Sequence, residues 1–204
     1  FEVFFKLLGW LEQINITSQT PIPSNKDSVT NITVNTNKPT KEIIWIIRRE
    51  DYKLKFNSHS NYMASFRNNN NYEILNKASI IWDKSKIIVD EKKGIFFNKI
   101  QPYNSHSIIP ISNGLYLYSF ALNPEKNNPS GFYNAALVDT KLALYVNKYN
   151  VTDELYNLNI KINKHNKFTE LQIDTDIKNY LVDIYSISYN IFEIIGRSAG
   201  MKFA

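Results

Sequence analysis

Three histidines, one close pair of aspartates and one serine in a Pro-Ser-Gly turn are the residues of this chain whose types and spacing could do chemistry. His59, His106 and His165 stand far apart, each in a polar, loop-like context. A metal centre on a β-sandwich needs two histidines close together on one strand, with a glutamate and a third histidine, so that imidazole and carboxylate donors converge on one ion. No such spacing occurs, and no metal site is expected. Asp174 and Asp176 would share one face of a strand and could hold a cation or work as a carboxylate pair; the plainer reading is a charged, solvated edge that discourages strand addition. Ser130 lies in Pro129-Ser130-Gly131 without a G-x-S-x-G elbow or a nearby histidine to activate it. Among six glycines none forms a phosphate-cradling loop, since Gly196 and Gly200 are wrongly spaced for a dinucleotide fingerprint. The expectation is a protein with no catalytic residues, no cofactor and no reaction.

Binding chemistry is better represented. The 13 Tyr, 12 Phe and 3 Trp could stack on nucleobases or sugars, but most fall inside apolar strand patterns, where a core role is the simpler assignment. Asn15-Ile16-Thr17, Asn31-Ile32-Thr33 and Asn150-Val151-Thr152 are N-glycosylation sequons, relevant to a chain that meets a glycosylation machinery. The net charge of +5 is spread along the sequence. Basic pairs such as Arg48-Arg49 and Lys92-Lys93 are isolated, which describes an ordinary solvated surface and no specific nucleic-acid footprint.

The elements that must position these residues are mostly strands. The run EIIWIIR, 42–48, reads as a strand covered on both faces. SIIWD, 79–83, and KIIV, 86–89, are shorter strands; LYLYSFAL, 115–122, is the strongest strand signal, and KLALYV, 141–146, follows. NLNIKI, 157–162, alternates as a half-exposed strand does, and the same period returns where Ile187, Tyr189 and Ile191 alternate with Ser186, Ser188 and Asn190. Ser18–Asn37 and Arg67–Asn71 read as surface loops. The opening FEVFFKLLGWLEQI fits an amphipathic helix or an apolar strand equally well. Short strands with turn signals between them predict an all-β sandwich or barrel.

With 204 residues and 43% hydrophobic content the chain can bury a sizeable core, and without cysteine it must do so by packing alone. No apolar run reaches the roughly 18 residues that span a bilayer, and the amino terminus lacks the features of a signal peptide, so no membrane insertion is expected. A chain that begins at Phe1 rather than Met is expected to be a portion of something longer.

Several blocks resemble, in order, the carboxy-terminal jelly roll of the major capsid proteins of large nucleocytoplasmic DNA viruses. Trp10-Leu11-Glu12-Gln13 is similar to the start of that family's second domain, and Pro39-Thr40-Lys41-Glu42-Ile43-Ile44-Trp45 to its Pro-x-Lys-Glu-Leu-x-Trp strand. Phe96-Phe97-Asn98 with Gln101-Pro102-Tyr103 resembles its Phe-Asn and Gln-Pro-Tyr segment. Gly114, Tyr116, the run 118–124, Pro129-Ser130-Gly131 and Asn134 follow, then Tyr189-Asn190-Ile191 and GRSAGMKF, 196–203. Phe132-Tyr133-Asn134-Ala135-Ala136-Leu137 departs from the small residue and Asn-Phe-Ser-Arg that the family usually places after Pro-Ser-Gly, which concerns local loop contacts and not the fold.

The resemblance implies a jelly-roll β-sandwich over 11–204, with 1–10 a linker or the end of a preceding domain. It implies a structural virion protein whose first jelly roll lies upstream. Three copies of the whole would form a pseudo-hexagonal homotrimeric capsomer, contacting neighbouring capsomers and minor capsid proteins in an icosahedral capsid assembled in the host cytoplasm. Pro124, Pro129, Ser130 and Gly131 are then the expected subunit-contact loop: the prolines fix φ and Gly131 permits a geometry closed to other residues. From the residues alone, a lectin-like carbohydrate-binding sandwich is the alternative.

Overall fold

The computed structural model describes residues 6–23, 28–34, 36–50, 74–83, 86–111, 114–126, 128–147, 179–195 and 198–202. Among these residues there are ten strands: β1 (Lys6–Pro23), β2 (Ser28–Thr33), β3 (Pro39–Arg49), β4 (Leu75–Trp82), β5 (Lys86–Lys93), β6 (Leu115–Ser119), β7 (Tyr133–Asn134), β8 (Thr140–Val146), β9 (Asn179–Ile195) and β10 (Ser198–Met201). A π-helical turn (Phe96–Ile100) runs into the short helix α1 (Gln101–Ser105), which has Pro102 in its first turn, where the missing N–H costs nothing. One antiparallel sheet has the order β1-β9-β3-β6, with β10 on β9 and β7 on β3; the other has the order β2-β8-β4-β5.

The period of two along each strand explains the packing of the sheets. Ile43, Trp45 and Ile47 of β3, Tyr116 of β6, and Tyr180, Val182 and Ile184 of β9 meet Ile32, Leu75, Ala78, Ile80, Val89, Leu142, Leu144 and Val146 from the second sheet in one buried core. Trp82, Phe120 and Tyr133 close one end of it. Their rings lie 4.4 Å apart for Phe120 and Tyr133 and 5.4 Å for Trp82 and Tyr133.

Several expectations are met and several are corrected. The opening segment, undecided between helix and strand, is strand from Lys6 onward, so β1 runs across position 10 without interruption. Of the span 18–37 expected as loop, 18–23 and 28–33 are strand instead. The prolines at 21 and 23 are tolerated because β1 ends its sheet, and Val29, Thr30, Ile32 and Thr33 are β-branched, with Ile32 turned into the core. In β3 the inward residues are fully buried while Ile44 and Ile46 are half-buried, so cover is complete on one face only.

The run 115–122 stops being strand at Ser119. There the Ser119 hydroxyl donates to Ala121 O at 2.8 Å and accepts from Ala121 N–H at 3.2 Å, a local turn that competes with the ladder. In β9 the half-exposed pattern is overturned: Ser186, Ser188 and Asn190 are buried, because they lie on the same face of the strand as the core residues Tyr180, Val182 and Ile184. The stretches 67–71 and 157–162 lie outside the described residues.

Candidate functional site

The connection from β6 to β7 carries Pro124, Pro129, Ser130 and Gly131, and the fold holds it from two sides. On the sheet side, the β3–β9 register shifts between Thr40 and Glu42, leaving Lys41 as an extra residue in the strand. Such a bulge re-aims a side chain. Lys41 is buried; its Nζ donates to Pro124 O at 2.5 Å, pairs with Glu12 Oε1 of β1 at 2.5 Å and lies 5.6 Å from the centre of the Tyr189 ring. Its backbone carbonyl accepts Phe120 N–H at 2.7 Å, so one residue fixes both the start of the connection and its first proline.

On the helix side, Glu125 Oε1 accepts the backbone N–H and the hydroxyl of Ser107, both at 2.9 Å. The hydrogen bonds from Ser107 hold the Glu125 carboxyl below the ordinary carboxylate range, with His106 adding a smaller contribution. A lowered folded pKa means that the clip contributes fully above the unfolded-state value and is lost as pH falls through the folded one. Protection of the Ser107 amide from hydrogen exchange is therefore expected to drop on acidification through and below the ordinary carboxylate range. In Glu125→Gln that pH dependence is expected to vanish, and an unchanged acid response would contradict the clip.

The loop is also closed on itself. Asn123 N–H donates to Ser130 Oγ at 2.8 Å, and Gly131 follows with φ +153°. Phe132 packs edge-on to Tyr189 at 6.3 Å. Burial pushes the Tyr189 hydroxyl up from its ordinary pKa, partly offset by the Ser130 backbone beside it. Replacing Lys41 with Met keeps the apolar stem and removes both charge-assisted bonds, so a loss of about 2 kcal/mol is expected, with increased exchange in 123–131. Chemical denaturation is the check, and an unchanged midpoint would count against Lys41 as the anchor.

Of the singled-out residues, His106 caps the end of α1, its backbone N–H bonded to Pro102 O at 2.8 Å; its Nε2 lies 3.1 Å from the buried Glu42 Oε2 and its Nδ1 2.9 Å from Ser105 Oγ. It ties the end of α1, which packs on β6, to β3, next to the clip. His59, His165, Asp174, Asp176 and Asn150 lie outside the described residues. Asn15 is half-buried in β1, while Asn31 is exposed in β2 with Thr33 exposed two residues on. Among the described residues no group of three or more His, Asp or Glu is arranged to hold a metal, and no helix is long and apolar enough to cross a membrane.

Sequence reasoning passed over Lys41, Glu12, Glu125 and Ser107 as loop anchors. One signal was present: two charged residues, Lys41 and Glu42, directly abut the apolar run that becomes the centre of β3.

Two antiparallel sheets face to face, in the strand orders β1-β9-β3-β6 and β2-β8-β4-β5, define a jelly-roll sandwich. The chain belongs to the family described as the large eukaryotic DNA virus major capsid protein, whose model matches residues 9–200. It is 26% identical over 217 residues to the major capsid protein of Paramecium bursaria Chlorella virus 1, covering 95% of this chain and 48% of that protein. It is 28% identical over 114 residues to the major capsid protein of Phaeocystis pouchetii virus, covering 56% of this chain and 18% of the relative. Among solved structures, the quasi-atomic model of the PBCV-1 virus capsid superposes with a TM-score of 0.70 at 22% identity, over 98% of this chain and 52% of that one. The Faustovirus major capsid protein superposes with a TM-score of 0.57 at 11% identity, over 92% and 33%. The chain thus spans about half the length of the first of these relatives.

Proposed function

We propose that this chain is a structural part of a virion: the carboxy-terminal jelly roll, from about residue 11, of a double-jelly-roll capsid subunit that forms homotrimeric, pseudo-hexagonal capsomers. Its work is interface geometry, without catalysis or cofactor, on a capsid assembled in the host cytoplasm with neighbouring capsomers and minor capsid proteins. The observation that carries this reading is the locked connection. Lys41 and Ser107 hold Pro124 and Glu125 from opposite sides, and the ends of the loop present Leu122 at 79% exposure and Phe132 at 48%. Exposed apolar side chains on a rigid turn suit a surface that another subunit covers. Of the aromatic residues that could form a sugar platform, Trp45 is fully buried and Trp82 packs against the core, so neither serves as one.

A closed three-fold assembly uses heterologous contacts, one patch meeting a different patch on the next copy. A single sandwich offers about half of that interface. The 204 residues alone are expected to be monomeric or weakly associating at micromolar concentration, and a longer protein with the upstream jelly roll is expected to be a stable trimer. Light scattering coupled to size exclusion decides it. A tight trimer of this chain would contradict the need for the first domain, and a monomeric longer protein would remove the capsomer reading.

A further inference from the structure

Toward one end of β9 the inward residues change from Tyr180, Val182 and Ile184 to Ser186, Ser188 and Asn190, and all six are buried. The segment leading into β3 packs on this polar end. Thr36 Oγ1 lies 3.1 Å from Thr40 Oγ1 and 3.4 Å from Ser188 Oγ, and the last two are 3.0 Å apart. Thr40 donates to the Lys38 carbonyl at 3.0 Å. Lys38 itself is only 8% exposed; its Nζ donates to Gln13 Oε1 at 2.6 Å, and the same oxygen accepts from Asn190 Nδ2 at 3.1 Å.

Two parts of this pocket are unbalanced. The Lys38 ammonium carries three N–H bonds but among the described residues meets one acceptor, a neutral amide. The ion pairs among the described residues are Lys41 with Glu12, Arg48 with Asp183, Lys77 with Glu91 and His106 with Glu42, and none includes Lys38. A buried cation is costly unless an opposite charge compensates it. Gln13, for its part, accepts two donors at Oε1, which places the amide oxygen toward Lys38 and Asn190 and turns the two N–H bonds of Nε2 elsewhere. Among the described residues nothing accepts from them. Beside the pocket an open groove of about 730 Å³ is lined by Ile14, Asn15, Ile16, Thr36 and Asn37, and Thr36 belongs to both.

We propose that Lys38 and Gln13 form a binding site for a single carboxylate beside this groove, whose wall is made by their chain neighbours Asn37 and Ile14, with one carboxylate oxygen on Nζ and the other on Nε2. Charge-assisted bonds of that kind are short and strong because the anion supplies the charge the pocket lacks. The same chemistry can arrive as a small free carboxylate or as an Asp or Glu side chain of a second copy of this chain.

Thermal unfolding of the full 204-residue chain in sodium acetate, against sodium chloride at equal ionic strength and pH, tests the first source. Acetate is expected to raise Tm by about 2–4 °C in the unchanged protein. Lys38→Met is expected to lose the response. Gln13→Glu places a carboxylate where Oε1 already meets Nζ, so it is expected to raise Tm without acetate and also to lose the response; it keeps the test decisive if Lys38→Met does not fold. For the second source, isotopically light and heavy copies are mixed at high concentration and treated with a carbodiimide. A bond from Lys38 to an Asp or Glu of the other copy, lost in Gln13→Glu, assigns the carboxylate to the neighbour. An acetate response that survives in either variant, or the absence of both acetate response and Lys38 cross-link, overturns the site.

Discussion

Trp45→Ala is expected to lower the unfolding free energy by about 3–5 kcal/mol, the range for removing a large aromatic from a packed core. Trp45 is completely buried. It packs edge-on to Phe97 at 5.1 Å and stacks with Tyr116 at 5.9 Å, so it ties β3 to both the π-helical turn and β6. Phe97 in turn meets Phe96 at 5.0 Å, and Asn98 beside it donates to Leu115 O at 2.6 Å. The cavity left by the indole would therefore open at the junction of sheet and helix, where the β3–β6 pairing and the Asn98 bond to Leu115 limit collapse. For a chain of this size the cost corresponds to a fall in Tm of about 10 °C. Calorimetry of the variant checks it. A fall below about 2 °C would mean that the junction repacks freely and that β3 is not the centre of the core.

How far the sequence reveals this fold depends on which contacts decide each element. β3 and β8 were legible because an uninterrupted apolar run of strand length has few other uses, and the structure places Ile43, Trp45, Ile47, Leu142 and Leu144 in the core. β2 was not legible. Its Ser, Thr and Asn content signals a loop, and only pairing with β8, in which Ile32 lies opposite Leu142, makes a strand of it. The inversion in β9 has the same origin, since Ser186, Ser188 and Asn190 are polar by sequence and buried by position, and tertiary context overrides a period-of-two pattern.

The Pro-rich connection shows both sides of this. Two prolines and a terminal glycine mark a stiff turn in any sequence. That the turn is bolted to Lys41 from β3 and to Ser107 after α1 depends on residues 83 and 18 positions away, which no local pattern encodes. The family resemblance matched the blocks on both sides of the Lys41 contact, 39–45 and 118–131, without relating one to the other.

Gly131→Val is expected to destabilise by about 2–6 kcal/mol, from backbone strain of roughly 1–3 kcal/mol added to overpacking of about 1–3 kcal/mol. The backbone supplies the first part: Gly131 has φ +153°, a conformation that L side chains rarely adopt. The second part follows from what a Cβ would meet, namely Phe120 O at 2.6 Å and Ala121 Cα at 3.1 Å, both main-chain atoms that no rotamer change can move. Nor can Phe120 retreat easily. Its N–H is bonded to Lys41 O at 2.7 Å, and its ring sits 4.4 Å from Tyr133 and 5.0 Å from Tyr118. Because the obstacle is the Cβ itself, Gly131→Ala should show most of the same loss. Gly200 supplies the internal control: a Cβ there meets nothing within 4 Å, and Gly200→Ala in the exposed β10 is expected to change stability by less than about 0.5 kcal/mol. Denaturant unfolding of the three variants side by side separates the explanations. Equal effects at 131 and 200 would assign the loss to a general property of glycine replacement, whereas a large loss confined to 131 requires the close approach of the loop's end to Phe120.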